Sequence, residues 1–113
     1  MNLMFAAALA VFQLVPWTGA PVASPYENQF RLTVIGPAST TVHLEARRVT
    51  PGWIATFCTA KICSPRKVDV VVSRSGRAIV RFDLIRTNDA ASKRAVAVVA
   101  GGMETKTVYA TVR

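Results

Sequence analysis

The sequence contains few of the side chains that carry most enzyme chemistry. Its 113 residues include one histidine, two cysteines and six acidic residues. A zinc site needs about four nitrogen, sulfur or carboxylate ligands, and one histidine with two cysteines falls short of that set. Gly76, Gly101 and Gly102 fit turns, and no glycine-rich phosphate-binding loop leads into a helix. We therefore predict a protein that is not an enzyme and has no catalytic residue, metal or cofactor.

Acidic residues are also few compared with basic ones. Fourteen Lys and Arg residues against six Asp and Glu residues give a formal net charge of +8 at pH 7. Hydrophobic residues make up 51% of the chain and charged residues 18%, a composition unlike that of disordered proteins. A chain of this length forms one domain at most. The composition therefore predicts a small, basic, globular module without room for a cleft between two domains.

Charged side chains are absent from residues 1–26. Residues 3–15 read LMFAAALAVFQLV, and Pro16 and several small residues follow. An apolar stretch before small residues is typical of a secretory signal, whereas a membrane-spanning helix needs about 20 apolar residues. We expect residues 1–23 to be a signal peptide cleaved after Ala23 or a membrane anchor retained over residues 3–20. A helix or strand buried in a partner is the third alternative, and residues 24–28 are then a linker.

The expected export to the periplasm or the extracellular space determines the chemical state that we predict for the two cysteines. In an oxidising compartment, two cysteines in a small domain most simply form a disulfide. Four residues separate Cys58 from Cys63, whereas two separate the cysteines of a thioredoxin-type redox pair. We therefore predict a structural disulfide between Cys58 and Cys63.

From Gln29 onward, apolar and polar residues alternate with the period of a half-buried β-strand. No stretch shows a sustained helical period, and Gly, Pro, Asn or Ser bound each run. The seven runs cover residues 30–35, 42–47, 53–57, 68–72, 78–84, 95–100 and 108–112. Short strands at this spacing are typical of antiparallel sandwiches. We predict an all-β fold, in which residues 29–113 form a seven-stranded antiparallel immunoglobulin-like sandwich with Trp53 in its core.

Four segments carry a resemblance to a known class of domains. They read TPGWIATFC, VDVVVSRSGRAIVRFDLIRT, AVAVVAGG and TKTVYATV. Together, from Phe30 to Val112, the chain resembles the immunoglobulin-like accessory domains of secreted bacterial surface proteins and glycosidases. In those domains a Pro-Gly-Trp sequence opens the third strand and a glycine turn precedes the fifth. The resemblance implies a spacer, stalk or adhesive module without catalytic residues of its own.

Basic residues are the remaining signal in the sequence. In a seven-stranded sandwich whose successive strands are antiparallel, loops alternate between two ends. We expect the end where the first strand begins to carry Arg47, Arg48, Arg74, Arg77 and Lys106, and the other end to carry Lys61, Arg66, Lys67, Arg86, Lys93, Arg94 and Arg113. The first group, with Trp17 at a membrane interface, is the predicted contact for an acidic protein partner or an anionic membrane surface. A solvated surface that keeps the domain soluble is the alternative.

Three titratable residues are candidates for catalysis, and each has a simpler interpretation. His43 fits a surface histidine on a strand, and Asp69 and Asp83 fit outward-facing partners of nearby Arg or Lys residues. No aromatic stacking platform accompanies the basic residues, so we expect no nucleic-acid partner. The sequence therefore predicts an exported, non-enzymatic subunit of an envelope or membrane protein complex. A secreted adhesive or carbohydrate-binding module is the alternative, with an aromatic platform drawn from Trp17, Tyr26 and Tyr109.

Overall fold

A computed structural model describes residues 11–16, 27–102 and 104–112 of the chain. These residues form nine β-strands and no helix. The strands are β1 Val11–Pro16, β2 Glu27–Ile35, β3 Thr41–Arg47, β4 Trp53–Cys58, β5 Cys63–Pro65, β6 Lys67–Val71, β7 Arg77–Arg86, β8 Arg94–Gly101 and β9 Glu104–Thr111. The all-β prediction is therefore confirmed. The number of strands differs from the expected seven, because β1 and β5 lie outside the seven alternating runs.

The strands form two antiparallel sheets. One has five strands in the order β1-β2-β7-β4-β5, and the other has four in the order β6-β3-β8-β9. Every paired strand is antiparallel to its neighbour. We call the end at which β2 and β8 begin the upper end. These two strand starts lie at the same end because Asn28 Nδ2 on β2 donates a hydrogen bond to the carbonyl of Thr111 on β9, which pairs with Arg94 on β8. The lower end is the one at which β2 finishes.

The core lies between the two sheets because apolar residues alternate along each strand. Successive side chains of a strand point to opposite faces, so one residue in two is directed at the facing sheet. Phe57 and Phe82 are fully buried, and their ring centroids are 4.9 Å apart. Trp53 is also buried, and its indole nitrogen donates a hydrogen bond to the carbonyl of Ser92 at 2.7 Å. Trp53 is therefore a core residue, as the sequence predicts, with its one polar atom satisfied.

Strand β1 lies within the segment that the sequence assigns to a signal or an anchor. It pairs with β2 from Val11 opposite Ile35 to Pro16 opposite Phe30, at the edge of the five-stranded sheet. Phe12 is buried in the core, whereas Gln13 is exposed. A membrane anchor over residues 3–20 and strand β1 are therefore alternative uses of residues 11–16. The predicted cleavage after Ala23 and the interfacial Trp17 fall outside the described residues.

Strand β5 reverses the chain after the disulfide loop. Cys63 lies opposite Cys58, and Pro65 lies opposite Thr56. The chain then crosses between the sheets at Arg66, whose amide donates to the carbonyl of Ala55 and whose carbonyl accepts from the amide of Ala46. Because of this additional reversal, every strand from β6 onward runs in the direction opposite to that expected from seven strands.

Candidate functional site

The basic residues that the sequence groups at one end are separated in the structure. Arg47 is the last residue of β3, which runs toward the upper end, and Arg48 comes directly after it. Arg77, in contrast, lies opposite Ile35 at the lower end. Arg74 belongs to the hairpin just before Arg77, and Lys106 lies midway along β9, opposite Val99. The prediction of one shared basic end is therefore wrong, since the chain reversal at β5 transfers the later loops to the other end.

Four exposed basic residues, one of them Arg48 of the predicted group, lie around the end of β3 and the start of β8. Thr50 exchanges hydrogen bonds with Val96, which fixes the loop after β3 against β8. Arg48 and Arg94 each lie two residues from this junction, and Lys93 precedes Arg94. Arg66 lies beside the end of β3 because its carbonyl accepts the amide of Ala46 at 2.8 Å. We call Arg48, Arg66, Lys93 and Arg94, which are all exposed, the upper basic cluster.

The upper basic cluster differs from the neighbouring charges in its pairing. Arg47 donates to the Glu45 carboxylate at 2.8 Å, and this interaction lowers the pKa of Glu45. Lys67 reaches the same carboxylate at 3.7 Å. Within the described part of the chain, no ion pair joins an acidic residue to any member of the upper basic cluster.

A buried arginine holds the loop that leads to the cluster. Arg86 is only 7% exposed and donates hydrogen bonds to the carbonyls of Asp89 and Ala91. Asn88 Oδ1 accepts the amides of Ala90 and Ala91 in the same loop. Lys93 and Arg94 thus follow a loop tied by side-chain hydrogen bonds, which reduces the entropy lost when they meet a partner. The sequence predicts Arg86 only as one of the basic residues of one end, and the structure uses it to fix this loop.

A shallow groove of about 690 Å³ lies on the outer face of the four-stranded sheet. His43 Nδ1 lies 2.6 Å from Asp69 Oδ1, and both side chains are largely exposed. The two residues face each other in the β3–β6 register, and Lys67 faces Glu45 instead. The prediction that Asp69 pairs with an Arg or Lys residue is therefore wrong, whereas His43 is a surface histidine, as predicted.

A second polar cluster surrounds the disulfide on the outer face of the five-stranded sheet. Cys58 and Cys63 are joined, as the sequence predicts. Arg81 Nε donates to both carboxylate oxygens of Asp83 at 3.1 Å. Asp83 pairs with a nearby Arg, as the sequence predicts, but it is only 2% exposed, so the expected exposed position on the sheet surface is wrong. Burial raises the pKa of Asp83 to about 6, although the positive charge of Arg81 opposes this rise.

Sequence reasoning missed this cluster for a physical reason. The i, i+2 spacing of Arg81 and Asp83 places both on one face of a strand, which the sequence does reveal. Their position beside Cys58 depends on the β4–β7 register, in which Cys58 lies opposite Arg81. That register joins residues far apart in the chain, and no local pattern specifies it.

No family model, curated protein or solved structure matches the chain. Among the described residues, no helix has the length and hydropathy to cross a membrane. The same residues contain no group of three or more His, Cys, Asp or Glu side chains placed to hold a metal ion.

Proposed function

We propose that this chain is an exported, non-enzymatic immunoglobulin-like module that serves as a small accessory subunit of an envelope complex. The strand order supports the immunoglobulin-like assignment. The order β1-β2-β7-β4 beside β3-β8-β9 follows the A-B-E-D and C-F-G order of immunoglobulin sheets. Strand β6, at the edge beside β3, is an addition to that plan. The disulfide supports an oxidising compartment such as the periplasm or the cell exterior.

The observation that carries the docking role is the upper basic cluster. Four exposed cations come from three separate segments that backbone hydrogen bonds hold together. Three of the four are arginines, whose guanidinium groups bind carboxylates with two parallel hydrogen bonds. An acidic partner would be attracted to this positively charged region, and the attraction would accelerate association. We therefore expect an acidic protein surface to dock at the upper end.

The position of β1 favours a protein over a lipid surface for this cluster. The described chain enters β1 at the lower end, where Val11 lies opposite Ile35. Any membrane attachment through the residues before Val11 would hold the lower end, with Arg74 and Arg77, against the headgroups. The upper basic cluster would then be directed away from the lipid and toward a protein partner.

Two charge-matched double variants test the docking role. Arg48→Gln with Arg94→Gln removes two charges from the upper end, and Arg74→Gln with Arg77→Gln removes two from the lower end. We would measure binding to immobilised poly-L-glutamate and to vesicles containing about 30% anionic lipid, at several salt concentrations. We expect the upper variant to bind poly-L-glutamate at least ~10-fold more weakly, with a reduced salt dependence, and the lower variant to lose less.

Both double variants should first show an unchanged far-UV circular dichroism spectrum, since all four positions are exposed. Equal losses of poly-L-glutamate binding would contradict docking at the upper end. If the upper variant instead lost vesicle binding and kept poly-L-glutamate binding, the cluster would be a lipid contact.

One exposed aromatic side chain supports the alternative of an adhesive or carbohydrate-binding module. Tyr109 is 74% exposed on the outer face of the four-stranded sheet, opposite Val96. A sugar ring could stack on the flat face of the Tyr109 phenol ring. Trp17 and Tyr26, the other members of the expected aromatic platform, lie outside the described residues. Glycan-array binding that disappears in Tyr109→Ala and persists in the upper double variant would favour this alternative.

A further inference from the structure

The two sulfur atoms of the disulfide lie in different surroundings. Cys63 is exposed, whereas Cys58 is only 8% exposed. Cys63 belongs to the three-residue strand β5, which forms an edge of the five-stranded sheet. An incoming thiolate can therefore approach the sulfur of Cys63 from solvent, and Cys58 is the leaving sulfur. In a thiol–disulfide exchange reaction, this asymmetry would direct the attack of a thiolate to Cys63.

The buried sulfur has a positive charge beside it. Cys58 lies opposite Arg81 in the β4–β7 register, and Arg81 Nη2 lies 3.4 Å from Cys58 Sγ. A guanidinium at this distance stabilises a thiolate relative to a thiol. Breaking the disulfide would therefore leave the negative charge at the sulfur that is best placed to hold it.

A carboxyl group lies within reach of the same sulfur. Asp83 Oδ2 is 4.0 Å from Cys58 Sγ, and Arg81 Nε holds both carboxylate oxygens at 3.1 Å. Two charged groups face Asp83 in the described chain, Arg81 on its own strand and Glu27 on β2. On β4, the disulfide sulfur of Cys58 lies next to Asp83. With its pKa raised to about 6, Asp83 can both give and accept a proton close to neutral pH.

We propose that the Cys58–Cys63 disulfide is a thiol-exchange site at which Cys63 forms a mixed disulfide with an incoming thiol. The site extends the expected role of a structural crosslink and does not depend on docking at the upper end. Arg81 stabilises the Cys58 thiolate, and Asp83 exchanges a proton with it. The incoming thiol belongs to a small molecule or to the cysteine of an exported protein, two sources that share one chemistry.

The reaction has two steps. A thiolate attacks Cys63 Sγ, the Cys58–Cys63 bond breaks, and its electron pair remains on Cys58, which takes a proton from the acid form of Asp83. A second external thiolate then attacks the mixed disulfide, releasing Cys63 as a thiolate and forming an external disulfide. Two electrons pass from two thiols to the protein disulfide. The reverse sequence, with an external disulfide as oxidant, restores the bond, and the Asp83 carboxylate takes the proton from Cys58.

The test is the rate of disulfide reduction in the full chain, followed by alkylation and intact mass. The thiols would be reduced glutathione and a short peptide with one cysteine. We expect Arg81→Gln to react at least ~10-fold more slowly than the unmodified chain with one or both thiols. Arg31→Gln is the matched control, because Arg31 lies opposite Arg81 on β2 and is exposed. This control should stay within about twofold, since it removes the same charge at a neighbouring position.

Three further measurements separate exchange from a merely structural effect. Arg81→Lys, which keeps a charge, should react faster than Arg81→Gln if both remain folded by circular dichroism. Asp83→Asn should slow the reaction at pH 6 more than at pH 8. Peptide mapping of the trapped intermediate should find glutathione on Cys63.

Equal rates for Arg81→Gln and Arg31→Gln with both thiols would overturn the proposal, as would glutathione attached to Cys58. If Arg81→Gln slows the reaction with only one of the two thiols, the incoming thiol belongs to the class that this thiol represents, a small molecule or a protein cysteine.

Discussion

Phe12 decides whether the N-terminal strand belongs to the folded domain. Its side chain is 1% exposed, and its ring lies directly over Gly101, where an added Cβ would be 2.6 Å from Phe12 Cζ. Truncation to alanine removes the transfer free energy of a buried aromatic ring and leaves a cavity. Such changes cost about 3–5 kcal/mol, a large part of the ~5–15 kcal/mol that stabilises a typical domain. We expect Phe12→Ala to reduce the free energy of unfolding by about 3 kcal/mol, because an edge strand can relax.

The assay is equilibrium unfolding in urea, followed by circular dichroism. The matched control is Val15→Ala on the same strand. Val15 is 43% exposed, so its truncation should cost less than about 1 kcal/mol. The chain beginning at Ser24 should unfold at a lower urea concentration than the full chain, since it lacks β1 altogether.

A Phe12→Ala chain as stable as the unmodified one would refute the packing of β1 in the core. Residues 1–23 would then be free to act as the signal or anchor that their composition predicts. A stability loss confined to Phe12→Ala, with Val15→Ala unaffected, would make β1 part of the domain in the full-length protein.

Two further predictions concern packing and protonation. Gly101→Ala should destabilise the protein by about 1–3 kcal/mol, because its Cβ would meet Phe12 Cζ at 2.6 Å and Leu44 Cδ2 at 2.8 Å. In a double-mutant cycle the loss should shrink in the Phe12→Ala background; a fully additive loss would contradict the contact. Asp83 has its pKa raised from 3.8 to about 6, so the folded state binds more protons than the unfolded chain between these values. The Asp83 contribution should therefore be present below about pH 4 and decline through pH 6, by about 1.4 kcal/mol per unit of pKa difference; urea midpoints that show the same pH slope in Asp83→Asn would contradict this.

Local patterns predicted much of the fold. All seven alternating runs became strands, and Trp53 lies in the core. The disulfide between Cys58 and Cys63 also formed as expected. These features depend on the period of apolar residues and on short sequence separations, which are visible without the tertiary structure. The candidate site was harder to predict, since only Arg48 of the expected basic end belongs to the upper basic cluster and only Arg47 lies next to it in the chain.

The antiparallel β-strands of this chain follow from its alternating apolar residues, because a sheet with one buried and one solvated face buries such a pattern. The tertiary structure alone decided which charges meet. A three-residue strand, Cys63–Pro65, reverses the chain once more and moves Arg74 and Arg77 to the lower end. It also decided that Asp83 is buried beside Cys58, because register places them together. One short reversal changes the position of every later loop, and so few residues leave no periodic signal by which the sequence could reveal it.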